Sequence, residues 1–108
     1  MKTNIFSALA ESTRLEIVGL LRKGPMTVGK IAEQLDIRQP QASKHLKVLL
    51  SAGIVEFNAE ANRRIYKLRQ EPFKDLDLWL NEYRDMWEEK FDSLDRYLQD
   101  VQERESKE

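Results

Sequence analysis

From Pro72 onward, apolar side chains recur at a spacing that only a long helix can use. Phe73, Leu76, Leu80, Tyr83, Trp87, Phe91, Leu94, Leu98 and Val101 follow one another at intervals of three and four residues, with one four-residue slip between Trp87 and Phe91. This is a heptad-like seam, and Leu78, Trp79, Met86 and Tyr97 widen it. A helix of about 30 residues is about 45 Å long, longer than a 108-residue domain is wide. Its far part therefore needs apolar cover from outside its own core, and a second copy of the chain is the simplest cover. Residues 72–102 are thus expected to form a dimerisation helix, with Leu76, Leu80, Tyr83, Trp87, Phe91, Leu94 and Leu98 at the interface. Its aromatic residues read more simply as packing than as a ligand box.

The remaining length makes one domain of residues 1–108, with a core over residues 3–70. Thr3 or Asn4 can cap a short first helix with apolar Ile5, Phe6 and Leu9, and Ser12 a second with Leu15, Val18 and Leu21. Lys23-Gly24-Pro25 ends the second. Thr27 caps a third, where Val28, Ile31, Ala32 and Leu35 fall at i, i+3, i+4 and i+7. After the turn Asp36-Ile37-Arg38, a fourth helix is expected over residues 39–52. Pro40 sits in its first turn, Ala42, Leu46 and Leu49 on its core side, and Gly53 closes it. The period then changes to two: Val55 and Phe57 alternate with polar neighbours, as do Arg64, Tyr66 and Leu68. Residues 59–62 lie between, with Asn62 able to take positive φ in the turn. Two helices around a tight turn, then a hairpin, then a long helix make a mainly α fold with a β-hairpin wing: a winged helix-turn-helix with a long C-terminal dimerisation helix.

Composition removes whole classes of chemistry. With no cysteine and His45 as the single histidine, disulfides, thiolate nucleophiles and soft-metal sites have no ligands, so no metal and no cofactor is expected. Carboxylates such as Glu88, Glu89, Asp92 and Asp95 are plentiful on the last helix, but they read as solubilising charge and not as a cage or a catalytic pair. No catalytic residue is assigned and no enzyme is expected. No apolar stretch approaches the roughly 20 residues that span a bilayer, and no apolar region follows Met1-Lys2. A cytoplasmic protein without a membrane partner is expected. The charge is divided: residues 1–69 hold 12 Lys/Arg against 6 Asp/Glu, and residues 70–108 hold 6 against 13. The basic part suits a polyanion.

In a helix-turn-helix the second helix enters the major groove amino end first, and a wing reaches the flanking groove or backbone. Opposite the core side of the fourth helix stand Gln41, Lys44, Val48 and Ser51, with Gln39, Pro40, Ser43 and Lys47 near them or at the amino end. Glutamine bonds adenine bidentately, while serine, lysine and the unpaired N–H groups of a first helical turn bind phosphate. Arg63 and Arg64 lie at the hairpin tip, and Arg38 adds a cation before the helix. Taken singly, Lys44 and Lys47 read as a solvated face and the glutamines as a polar helix start. His45 reads as a packed flank or a phosphate donor. The order of polar helix end, basic hairpin and acidic distal helix is what selects DNA.

The stretches ALAESTRLEIVGLL (residues 8–21), MTVGKIAEQLDIRQPQASKHLKVLLSAGIV (26–55) and RRIYKL (63–68) resemble the ArsR/SmtB family of bacterial transcriptional repressors over residues 5–69. The last helix, with WLNEYRDMWEEKFDSLDRYL, is similar to that of members without metal-sensing residues. The resemblance implies a homodimer packed through its first and last helices, which adds Ile5, Phe6 and Leu9 to the interface. It also implies recognition-helix contacts at Gln39, Gln41, Ser43 and Lys44, and wing contacts at Arg63 and Arg64. Metal-sensing members carry paired cysteines in the third helix or histidines on the last; this chain has neither. It also has Glu11-Ser12 where Asp-Pro is common, Arg38 where Ser or Thr usually caps the recognition helix, and Glu60-Ala61-Asn62 where the wing tip usually holds glycine and more arginine. The expected function is a homodimeric repressor that occupies an operator in double-stranded DNA and occludes a promoter. The alternative is a winged-helix module that docks protein on the same face, which would need exposed apolar anchors there. The inducer is unknown; an apolar pocket between the dimerisation helices near Trp79, Tyr83 and Trp87 is where one would have room.

Overall fold

The structure is a computed structural model that describes residues 4–106. Helices α1 (Asn4–Leu9), α2 (Ser12–Leu21), α3 (Val28–Leu35) and α4 (Gln39–Ser51) carry the first half of the chain, and helix α5 (Glu71–Ser106) its end. Strands β1 (Met26–Thr27), β2 (Val55–Glu60) and β3 (Arg63–Leu68) form an antiparallel sheet in the order β1-β3-β2. This is a winged helix-turn-helix. The chain divides after Lys74 into two compact units. The first holds the helix-turn-helix and wing, the second the remainder of α5.

Local hydrogen bonds set the helix ends. The carboxylate of Glu11 accepts the Arg14 N–H at 2.9 Å, so Glu11 is the N-cap of α2 and Ser12, the expected cap, is its first helical residue. The carboxylate reaches across the first turn and brings its charge to the positive end of the helix. Thr27 caps α3 as expected, its hydroxyl accepting the Lys30 N–H at 3.2 Å. Of the two caps expected for α1, Thr3 lies outside the described residues and Asn4 is the first residue of the helix.

Helices α3 and α4 end alike. Ile37 N–H bonds Ala32 O at 3.0 Å and Asp36 N–H bonds Glu33 O at 3.3 Å; Ile54 N–H bonds Leu49 O at 3.0 Å and Gly53 N–H bonds Leu50 O at 3.0 Å. Each is a Schellman closure, which turns on one left-handed residue. That residue is Asp36 (φ 54°) in the first and Gly53 (φ 75°) in the second. A Cβ at Gly53 would also come within 3.2 Å of Nη1 of Arg69, so a larger residue there would have to displace that side chain as well as take the left-handed φ.

The core of the first unit is apolar throughout. Ile17 of α2, Ile31 of α3, Leu46 and Leu49 of α4, and Ile54 are fully buried, with Val55 and Tyr66 closing the sheet side. Each such aliphatic side chain contributes about 1.5–3 kcal/mol by leaving water. Two helices use a different face from the one expected. In α2 the buried pair is Ile17 and Leu21, while Leu15 is 53% exposed. That helix is apolar on two sides, and spacing alone cannot select between them. In α1, Ile5 and Ala8 are buried and Phe6 faces outward.

The hairpin is tighter than expected. Glu60 pairs with Arg63, leaving a two-residue turn of Ala61 and Asn62 in place of the expected four. Positive φ falls at Ala61 (56°), not at Asn62. A two-residue loop follows the strand twist only when its first or both central residues take positive φ. Register therefore imposes this conformation on an alanine. Strand β1, too short to show a period, was not expected; it pairs Met26 with Tyr66 and Thr27 with Ile65.

Helix α5 has 36 residues, one more at its start and four more at its end than the expected 72–102. Its seam residues Leu80, Tyr83, Trp87, Phe91, Leu94 and Leu98 are all exposed in the single chain. Aromatic rings pair along it, Trp79 with Tyr83 at 4.8 Å and Trp87 with Phe91 at 6.2 Å between centroids.

Candidate nucleic-acid interface

Helix α4 presents two opposite rows. Ala42, Leu46 and Leu49 are fully buried, which turns Gln41, Lys44, Val48 and Ser51 outward, all exposed. Gln39, Ser43 and Lys47 are exposed as well, as is Arg38 before the helix. This face holds lysines, amides and hydroxyls and no carboxylate, a surface suited to an anion with hydrogen-bonding edges.

The start of α4 is closed in an unusual way. Arginine has no acceptor with which to cap, and the backbone N–H of Arg38 instead donates to Oε1 of Gln41 at 3.2 Å. Gln41 therefore holds its own helix end with the same oxygen that a base would need.

The wing meets α4 at its amino end. Gln39, Asn62, Arg63 and Arg64 line a cleft of about 360 Å³ together with Thr27, Val28 and Gly29, the first turn of α3 and its cap. Residues of the basic wing tip and the positive end of a helix thus line one space. Pairing of β1 with β3 brings the α3 start there, and this is why Thr27–Gly29 escaped the sequence reading: two-residue strands leave no periodic signal. Arg64 is steadied by its guanidinium lying 4.5 Å over the Phe57 ring, and Phe57 packs on Tyr66 at 5.5 Å. A cross-strand ion pair, Lys67 with Glu56 at 3.4 Å, stiffens the hairpin further from the tip.

His45 stands apart from the lysines. Its Nδ1 is 3.5 Å from Nη1 of Arg14 and 3.6 Å from Oε2 of Glu11, at the start of α2. Arg14 can only donate, so a hydrogen bond here uses Nδ1 as the acceptor. Arg14 Nε also donates to Ala8 O at 2.6 Å, tying α1, α2 and α4 at one point. The Arg14 N–H holds the Glu11 carboxyl below the usual carboxylate range, with desolvation opposing it and Thr13 and His45 adding smaller effects.

The residues expected at a dimer interface are differently placed. Ile5 is buried within its own chain, Leu9 and Leu76 are half-buried, and Phe6 and the seam from Leu80 to Leu98 are exposed. Among the described residues no three His, Cys, Asp or Glu side chains gather as a metal would need, and no helix is long and apolar enough to cross a membrane.

Comparison with known proteins agrees with this architecture. A helix-turn-helix domain family matches residues 9–56. The transcriptional repressor SdpR of Bacillus subtilis is 34% identical over 77 residues, 71% of this chain and 86% of that protein. The HTH-type transcriptional regulator Rv2034 of Mycobacterium tuberculosis is 43% identical over 63 residues, 58% of this chain; the match spans 59% of that regulator's own length. Among solved structures, an ArsR family transcriptional regulator superposes with a TM-score of 0.70 at 34% identity, covering 80% of this chain and 89% of that one. A homodimeric winged helix-turn-helix DNA-binding domain from Mycobacterium bovis gives 0.64 at 31% identity, with 77% of each chain covered. The chain belongs to the ArsR/SmtB family of winged helix-turn-helix transcriptional regulators.

Proposed function

We propose that this chain is a homodimeric repressor acting in the cytoplasm, which binds an operator in double-stranded DNA and thereby occludes a promoter. The amino end of α4 enters the major groove with Gln39, Gln41, Ser43 and Lys44. Arg38 and Lys47 flank it on phosphates, and Arg63 and Arg64 carry the wing to the adjoining backbone. His45 serves this face from behind, by fixing α4 against α2 through Arg14. The observation that carries the reading is the cleft that Gln39, Arg63 and Arg64 line together with the first turn of α3, continuous with a carboxylate-free helix face. Phosphate oxygens match that donor set.

The dimer rests on the exposed α5 seam, with Phe6 of α1 added, and on the homodimeric state of the Mycobacterium bovis neighbour. A gel shift with the DNA upstream of the chain's own coding sequence tests the reading. The retarded band should be competed by the same fragment and not by scrambled duplex of equal length. Equal competition by both would remove sequence-specific repression.

A further inference from the structure

We infer that Val48 reads the 5-methyl group of a thymine in each operator half-site; this rests on the DNA-binding reading and adds to it a base and the residue that selects it. Val48 lies on the outward row of α4, at i+4 from Lys44 and i+7 from Gln41, opposite the fully buried Ala42, Leu46 and Leu49. It is 37% exposed. Every other residue of that row is polar or charged.

A valine is poorly suited to such a position on structural grounds. The β-branched side chain is a weaker helix former than the lysine, alanine or glutamine that an exposed helix interior accepts. It is not among the buried residues of α4, which are Ala42, Leu46 and Leu49, and more than a third of it meets water. As an anchor for a protein partner it is small and solitary. The other large apolar side chains exposed among described residues 4–74, Phe6 and Leu15, belong to α1 and α2, and valine is under-represented among residues that carry protein interfaces.

A major groove offers one apolar group on its base edges, the thymine methyl. From Gln41 to Val48 the helix rises about 10 Å, which is about three base steps. A glutamine suited to adenine and a valine suited to thymine therefore stand one short stretch of groove apart, with Lys44 between them for phosphate.

The test uses the full chain and an operator selected by the parent protein from a pool of random duplexes. Each thymine in turn is replaced by deoxyuridine, which lacks only the methyl group, and affinities are measured for the parent, Val48→Ala and Val48→Thr. The parent should lose about fourfold per half-site at one symmetric thymine position, the worth of one buried methyl. Val48→Ala should bind unmodified operator more weakly and respond no longer to deoxyuridine at that position, while its responses elsewhere match the parent's. Val48→Thr, of the same shape with one methyl exchanged for hydroxyl, should fall between. Circular dichroism of both variants should match the parent's, since the site is outside the core. A duplex series without any methyl-sensitive thymine overturns the inference, as does a sensitive position that Val48→Ala leaves sensitive. Failure of the parent to select any sequence from the pool overturns the DNA-binding reading itself, a result distinct from both.

Discussion

Gln41 has two uses for one oxygen. In the free chain its Oε1 accepts the Arg38 N–H and closes the start of α4; in a groove the same amide would bond adenine. Gln41→Ala should therefore lower stability slightly, by about 0.5–1.5 kcal/mol for one exposed hydrogen bond, and flatten base preference at one operator position while leaving non-specific binding nearly intact. Lys44→Ala should leave stability unchanged, weaken all sequences about equally and reduce the salt slope by about one per half-site. Arg63→Ala should follow Lys44→Ala. Titrations on operator and scrambled duplex across a salt series, with a thermal melt of each variant, separate these outcomes. Glu11 gives a second residue-scale expectation. Its carboxyl is held below the usual carboxylate range chiefly by the Arg14 N–H, so the stability it lends is full at neutral pH and is lost as pH falls through its lowered value. Melts of the parent and Glu11→Gln on acidification should converge as that value is passed, the parent being the more stable at neutral pH; a constant difference would contradict the account. The outward row of α4 was legible because helical spacing from Ala42, Leu46 and Leu49 determines it. The roles of Glu11 and Gln41 were not, because they depend on rotamers, and by residue type Ser12 is the better cap.

Among the elements, the wing departs most from its sequence. Alternation of apolar and polar residues locates both strands, but Ala59 and Glu60 carry no strand signal and read as turn. Pairing of Ala59 with Arg64 and Glu60 with Arg63 extends the ladder to a two-residue loop and forces Ala61 to φ 56°. Ala61→Gly should then stabilise the chain by about 0.5–1 kcal/mol, relief of the left-handed strain outweighing the added freedom of the unfolded state. Thermal denaturation reads this directly, and an unchanged or lower midpoint would mean that the turn is not strained. Helix α2 shows the opposite limit of pattern reading, since its length was clear while its buried side was settled by packing. In α5 the slip after Trp87 has a visible occupant. An unbroken heptad would place Lys90 in the seam, and its ammonium lies 5.2 Å over the Trp87 ring.

At the scale of the whole molecule, the division of charge and the uncovered seam belong together. The basic residues lie in the unit that carries α4 and the wing, and the acidic excess lies on α5. Two copies joined along α5 would present two basic faces to one polyanion. Leu94→Asp, in the middle of the seam, should shift the chain to monomers by sedimentation at micromolar concentration. Asn81→Asp, the same acidic residue at an exposed position outside the seam, should not. Equal effects would mean that the seam is not the interface. The seam itself is legible from spacing alone, whereas its cover, a second chain on the reading proposed above, leaves no mark in the spacing.

The central claim is that two α4 helices read one two-fold site. Hydroxyl-radical footprinting of the chain on its selected operator tests this most directly. The account predicts two protected half-sites related by a dyad, their centres one helical turn apart, about 34–36 Å. Protection of a single asymmetric half-site, at concentrations where sedimentation shows monomers, would contradict it.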